Sequence, residues 1–304
     1  MKRNIYSYSK LWMIFFVLMG AACTNQVEDV IPVSGQPIEF SVQSDWKEIP
    51  NTRLNDGKTQ FKADDKIQIF GFHRSSSGGV EKVQKFMYRV GEPARGQKVV
   101  YNGKDWNYSP KRFWPKEGTL DFYASYPDYS VLNEEDKMTY VQPDYNPLGV
   151  DLLWGLATNR DCATVREKPV QIWMVHALAK VNIFFDSSLG DIKQAIVSAY
   201  KAGDFSYAAD NGVPLWNVKT DILEATIPKE PTKIDDVTVF ILPDRITGLK
   251  LIKLDDGTEI DVSDKIQNLQ FAAGKEYNLT ISKGVKKKNT NSRSIAMSVR
   301  CVSE

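Results

Sequence analysis

The chain has 304 residues, with 39 basic and 38 acidic side chains, a formal net charge of +1, 42% hydrophobic and 11% aromatic residues. That composition excludes wholesale disorder. No concentrated basic patch is present, so no nucleic-acid partner is expected, and the one basic run, Lys286-Lys287-Lys288, reads as a solvated segment in a polar tail.

Lys2, Arg3 and Lys10 surround the start of an apolar run, Leu11–Met19, which leads into Gly20-Ala21-Ala22-Cys23. A basic start, a short apolar stretch and small residues before a cut site make a secretory signal. A membrane-spanning helix would need about 20 apolar residues, more than this run supplies. Gly-Ala-Ala-Cys resembles the lipobox of bacterial lipoproteins, although Gly20 stands where that signal usually carries Leu. The resemblance implies a signal peptide over 1–22, lipid on Cys23, and anchoring in the outer membrane with the body at the cell surface. Three acyl chains, at about 0.8 kcal/mol per buried methylene, would hold the protein stably. Residues 23–36 are polar, include Gly35, and read as a lipidated tether. Loss of 1–22 removes three basic residues and no acid, so 36 basic residues then face 38 acidic ones. What is left is long enough for two domains. Cys162 and Cys301, far apart in sequence, are expected as separate thiols, with a bridge as the alternative.

Beyond the tether, period-2 alternation and turn dipeptides predict strands. Ile38, Phe40 and Val42 alternate with polar residues, and Lys66–Phe72 and Phe86–Val90 follow. Val99–Tyr101 runs into Asn102-Gly103 with Trp106 just beyond, a hairpin signal because both turn residues tolerate positive φ. Asn211-Gly212 and Asp256-Gly257 are set similarly. Residues 188–200 could form a short helix, but a strand is at least as good a reading. Later strands are expected at Thr220–Ile227, Val237–Leu242, Leu249–Leu254 and Tyr277–Ser282.

Val170–Phe185 carries the longest alternation: Trp173, Val175, Ala177, Ala179, Val181, Ile183 and Phe185 on one face. The other face passes from Ile172, Met174 and Leu178 to Lys180 and Asn182, which predicts a crossing between two β domains near residue 180. In 113–127, Leu120, Phe122 and Ala124 share one face and Asp121, Tyr123 and Ser125 the other, bracketed by Pro115 and Pro127. Its aromatics could stack on sugars, but the reading preferred here is core, where large rings supply most apolar burial.

Several segments together resemble the fimbrillin family, lipoprotein precursors of type V pili and their accessory and tip subunits. They are Thr52-Arg53, Asp64–Gly71, Phe113-Trp114-Pro115, Gly118–Pro127, Asp151–Trp154, His176–Val181, Leu242-Pro243 and Phe271–Tyr277, in the family's order. The resemblance covers about 36–284 and implies an all-β chain of two tandem transthyretin-like Greek-key β-sandwiches. These would occupy 37–179 and 180–284, with 285–304 as a tail. In the resembling pilins, cleavage after an arginine placed like Arg53, leaving Leu54 as the new start, frees the first strand and opens a groove for a partner's strand. The tail could then serve as donor, since Ile295, Met297, Val299 and Cys301 alternate with Ala296, Ser298 and Arg300. The alternative is that Arg53 is an ordinary loop residue and the tail closes its own domain.

Chemistry finds little foothold. The two histidines, His73 and His176, have no metal-ligand spacing, and no nucleophile-elbow, P-loop or zincin pattern occurs. His176, in an apolar strand, is expected to be a hydrogen-bonded buried residue. Adjacent acids at Asp64-Asp65, Glu134-Glu135-Asp136, Asp235-Asp236 and Asp255-Asp256 lie in turn-like settings and single out no catalytic pair. The expectation is no enzyme, no cofactor and no metal. Two functions compete: a structural, tip or accessory fimbrial subunit that joins other pilus subunits by strand exchange and supports adhesion, or a stand-alone surface lipoprotein whose loops bind a glycan or a host or bacterial surface receptor.

Overall fold

A computed structural model describes residues 31–44, 61–77, 79–128, 131–134, 137–144, 146–164, 168–206, 214–284 and 297–303. The described chain is all-β. In order, the strands are β1 (Val33–Pro37), β2 (Phe40–Ser44), β3 (Lys66–Ser77), β4 (Val80–Met87), β5 (Gln97–Tyr101), β6 (Trp106–Asn107), β7 (Phe113–Pro115) and β8 (Thr119–Tyr126). Next come β9 (Val131–Glu134), β10 (Lys137–Val141), β11 (Leu153–Asp161), β12 (Val170–His176), β13 (Ala179–Phe185), β14 (Ile192–Tyr200), β15 (Ala202–Ser206) and β16 (Leu215–Val218). The last are β17 (Ile222–Ile227), β18 (Asp236–Ile241), β19 (Ile246–Lys253), β20 (Glu259–Asp261), β21 (Glu276–Lys283) and β22 (Met297–Ser303), with one short helix, α1 (Ser263–Ile266), before β21.

An eight-stranded sheet runs β2-β12-β11-β8-β3-β5-β6, with β4 added along the far part of β3. Its central strand, β3, is apolar on both faces for a physical reason. Ile67 and Ile69 enter one core, with Phe122, Trp114 and Met174, while Phe70 and Phe72 enter another, with Tyr123 and Trp154. A strand buried on both sides reads as a continuous apolar run. Along β3 the partner changes from β5, over Lys66–Ile69, to β4, from Gly71 onward. Gly71 permits the close approach there: a Cβ at this position would lie 2.8 Å from that of Met87. The Asn102-Gly103 hairpin forms as expected, with Tyr101 opposite Trp106 and Gly103 at φ +94°.

The second half is a β-sandwich. Sheets β18-β13-β21-β22 and β17-β14-β19-β20 enclose one core. Val181, Ile183, Val239 and Leu279 come from one sheet and Val197, Ala225, Leu249 and Leu251 from the other. The stretch left open between helix and strand, 188–200, is mainly strand β14, preceded by a single 3-10 turn at Ser187–Leu189. A smaller sheet, β16-β15-β10-β9, covers the remaining face of the eight-stranded sheet.

One expectation is corrected. Val170–Phe185 is two strands, broken at Ala177-Leu178, rather than one continuous alternation. In β12 the even positions Val170, Ile172 and Met174 point into the first core, and Trp173 is 55% exposed. In β13 the odd positions Ala179, Val181 and Ile183 face the second core. A break in the chain resets which parity points inward.

Candidate assembly site

Cys23, Arg53, Leu54 and Ile295 lie outside the described residues. The structure places two strands that flank them in the chain, β2 and β22. β2 forms one edge of the eight-stranded sheet and runs parallel to β12, with Phe40 opposite Val170 and Val42 opposite Ile172. Among the described residues no strand pairs with the other edge of β2.

The alternation Ile38-Phe40-Val42 sends all three side chains into the first core. The Phe40 ring meets Phe122 edge-on at 5.3 Å between centroids, and lies 5.8 Å from Tyr108. Burying three such side chains contributes roughly 1.5–3 kcal/mol each as an upper range. Their sum approaches the whole stability of an ordinary domain, about 5–15 kcal/mol. Loss of β2 therefore requires an apolar replacement in the same place.

The entry of β2 is clamped by the loop after β6. The Ile38 N–H donates to the Arg112 carbonyl at 2.9 Å, and the Tyr108 hydroxyl donates to the Ile38 carbonyl at 2.7 Å. Lys111 places its ammonium 4.6 Å from the Tyr108 ring centre. Burial pushes the Tyr108 phenol up to about 12, partly offset by the Arg112 backbone N–H that bonds its oxygen. The neutral, donating form is thereby favoured. No sequence signal marked Tyr108: it follows a two-residue strand and precedes Ser109-Pro110 in what reads as a plain turn.

At the other end of the chain, β22 caps the free edge of β21 in antiparallel register, from Tyr277 opposite Ser303 to Lys283 opposite Met297. Val299 stands opposite Ile281 and Cys301 opposite Leu279, both of which are fully buried in the second core. In this structure the tail strand pairs within its own chain. Cys162 is buried in the first core, with its Sγ 3.8 Å from the Arg160 carbonyl oxygen.

Both histidines have structural partners. His73 is buried, with Nε2 2.9 Å from the Glu117 carbonyl oxygen. His176 Nδ1 lies 2.5 Å from Asp151 Oδ2, a hydrogen-bonded and partly buried pair at the end of β12. Arg74 Nε donates to Asp121, whose other oxygen accepts from the Asn159 N–H at 2.6 Å. Trp114, Phe122 and Tyr123 are all buried, so the aromatics of 113–127 that were weighed against a sugar platform serve mainly as core; Phe113, at the edge of that block, is exposed.

A family model described as fimbrillin-like matches residues 52–297. The chain belongs to the fimbrillin-like family. Among solved structures it is similar to a putative cell adhesion protein from Bacteroides uniformis, at 18% identity and TM-score 0.54, covering 88% of this chain and 97% of that one. A second putative cell adhesion protein, from Bacteroides ovatus, matches at 15% identity and TM-score 0.50, over 88% and 95%. The tip fimbrial protein Mfa3 of Porphyromonas gingivalis, truncated at its C-terminus, matches at 9% and TM-score 0.40, over 79% and 94%. No curated protein matches the chain. Fimbrillin-like membership supports a fimbrial subunit role at the cell surface, among other pilus subunits, and the family is of structural and adhesive rather than enzymatic type.

Proposed function

We propose that this fimbrillin-like protein is a lipid-anchored subunit of surface fimbriae that joins its neighbours by exchanging β-strands. The observation that carries the reading is the state of β2 and of the residue leading into it: among the described residues β2 is an edge strand paired on one side, and Ile38, Phe40 and Val42 send alternating apolar side chains into the core. Cleavage after Arg53 would separate β2 from the body that follows Leu54, and leave the backbone edge of β12 together with the space beside Phe122 and Tyr108. A donor strand restores both losses at once, through a new ladder and through alternate side chains in the vacated positions. The tail alternation Ile295, Met297, Val299 and Cys301 supplies such a strand, and 285–296 supplies reach. Anchoring before assembly rests on lipid at Cys23 in the outer membrane. In this reading 37–179 and 180–284 correspond to the two tandem transthyretin-like Greek-key domains.

Surface-purified material should begin at Leu54, and deletion of 293–304 should block incorporation into fibres while the body stays folded. An intact Cys23 N-terminus together with normal assembly of the truncated chain would overturn the mechanism.

One observation favours the second reading, a stand-alone surface lipoprotein that binds a glycan or a receptor. Trp173 is exposed on β12, between Leu156 on β11 and Gln43 on β2, with Gln171 also exposed along the same face. Glycan-array binding by the soluble body, abolished in Trp173→Ala, would establish that role.

A further inference from the structure

The two halves of the chain are joined covalently at Ala177-Leu178, but a second connection runs beside that link. After β14 the chain leaves the second sandwich, forms β15 and β16, and returns to it as β17. During this excursion β15 pairs with β10, a strand of the first half, from Lys137 opposite Ser206 to Val141 opposite Ala202. The pairing builds a third core to which both halves contribute. Phe70, Tyr123 and Trp154 come from the eight-stranded sheet, and Phe205, Phe240 and Leu242 come from beyond residue 180. The Phe205 ring lies 4.9 Å from Trp216 and 6.5 Å from Trp154.

Polar contacts tighten the same seam. Gln142, buried, donates through Nε2 to the Phe240 carbonyl at 3.0 Å, and its N–H donates to the Lys201 carbonyl at 2.9 Å. The Phe240 N–H donates to Leu148 at 2.7 Å, and the Trp216 indole donates to the Ala177 carbonyl at 2.9 Å, on the covalent link itself. Thr139 on β10 donates to the Asp204 carboxylate on β15.

We infer that the β15–β16 hairpin is a clasp that binds the two halves into one cooperative body and removes the hinge a single two-residue link would otherwise provide. A relative rotation about Ala177-Leu178 would have to open a ladder and expose a shared aromatic core simultaneously. Contiguous packing of this kind makes separate regions open together. The inference does not depend on how the protein assembles.

The test uses amide hydrogen exchange on the soluble mature chain. Leu251→Ala truncates a side chain of the second core only, and should lower the protection of β14 amides by about 100-fold or more. If the clasp holds, amides of β8 in the first core lose protection by the same factor. Ile183→Val gives a smaller version of the same comparison, about 5-fold, if the first variant proves too destabilised to study. Unchanged β8 protection in both variants would overturn the inference. In a Phe205→Ala background the effect of Leu251→Ala should stay within the second sandwich. Coupling that persists undiminished there would show that another contact carries it. A Phe205→Ala chain in which both halves fail to fold would itself show that each depends on the clasp.

Discussion

The Tyr108 hydroxyl donates to the carbonyl of Ile38, the residue at which the chain enters β2 and the first core. A side chain seventy positions downstream thus holds the first core residue among the described residues in place. Tyr108→Phe should destabilise the body by roughly 1–2 kcal/mol, because the buried carbonyl loses its donor. Urea titration of both proteins measures it, and an unchanged midpoint would refute it.

The same tyrosine sets a pH dependence. Its phenol is raised from 10.0 to about 12 in the fold. The unfolded chain therefore ionises first as pH rises, and the stability tied to the neutral phenol is complete below about 10 and lost on the way through 12. Tyr108→Phe carries no such loss. The stability difference between wild type and variant should narrow from pH 9 to pH 11.5, and a constant difference would count against the assignment.

Gly71→Ala tests the change of partner along β3. A methyl there would meet the Met87 Cβ at 2.8 Å and the Phe122 ring at 3.3 Å. Neither neighbour moves freely, so the expected cost is about 1–3 kcal/mol. Thermal unfolding reports it, and a substitution without effect would mean that β4 yields easily.

Two tryptophans on adjacent strands should behave oppositely. Trp154 on β11 is 2% exposed and Trp173 on β12 is 55% exposed. Trp154→Ala should cost about 3–5 kcal/mol, and Trp173→Ala within about 0.5 kcal/mol. Equal losses would contradict the break that turns Trp173 outward.

Cys23→Ala should leave an unprocessed or soluble form in place of a lipidated membrane form. Partitioning into detergent that is the same for both proteins would remove the lipid anchor from the proposal.

Much of the fold was legible in the sequence because half-buried strands betray themselves. Ile38-Phe40-Val42, Lys66–Phe72 and Leu249–Leu254 alternate or run apolar, and Asn102-Gly103 and Asp256-Gly257 mark their hairpins. Less was legible where burial comes from elsewhere. β10 alternates through Met138 and Tyr140 but follows three acids, and β15 carries one large apolar side chain, Phe205, among small and polar ones. Each is a weak strand alone and becomes one through pairing with the other, which only the fold reveals. Trp173 was misplaced for a related reason. Its alternation with Ala179 and Val181 is regular in sequence, yet the two-residue break lets the chain change sheets between them. For the candidate assembly site, the apolar periods at both ends were visible, whereas the Tyr108 clamp depends on a loop geometry that no periodicity encodes.

β2 and β22 sit at the edges of two different sheets, one near each end of the described chain. If strands are given and received at these edges, the contact between neighbours joins unlike surfaces. Such contacts have no twofold closure, and unless rotation happens to complete a ring they propagate as an open filament. Growth would then have a direction built into every subunit, and nothing in the geometry of one link would tell the next to stop. Length would be decided by supply, or by a chain able to occupy one edge but not to offer the other.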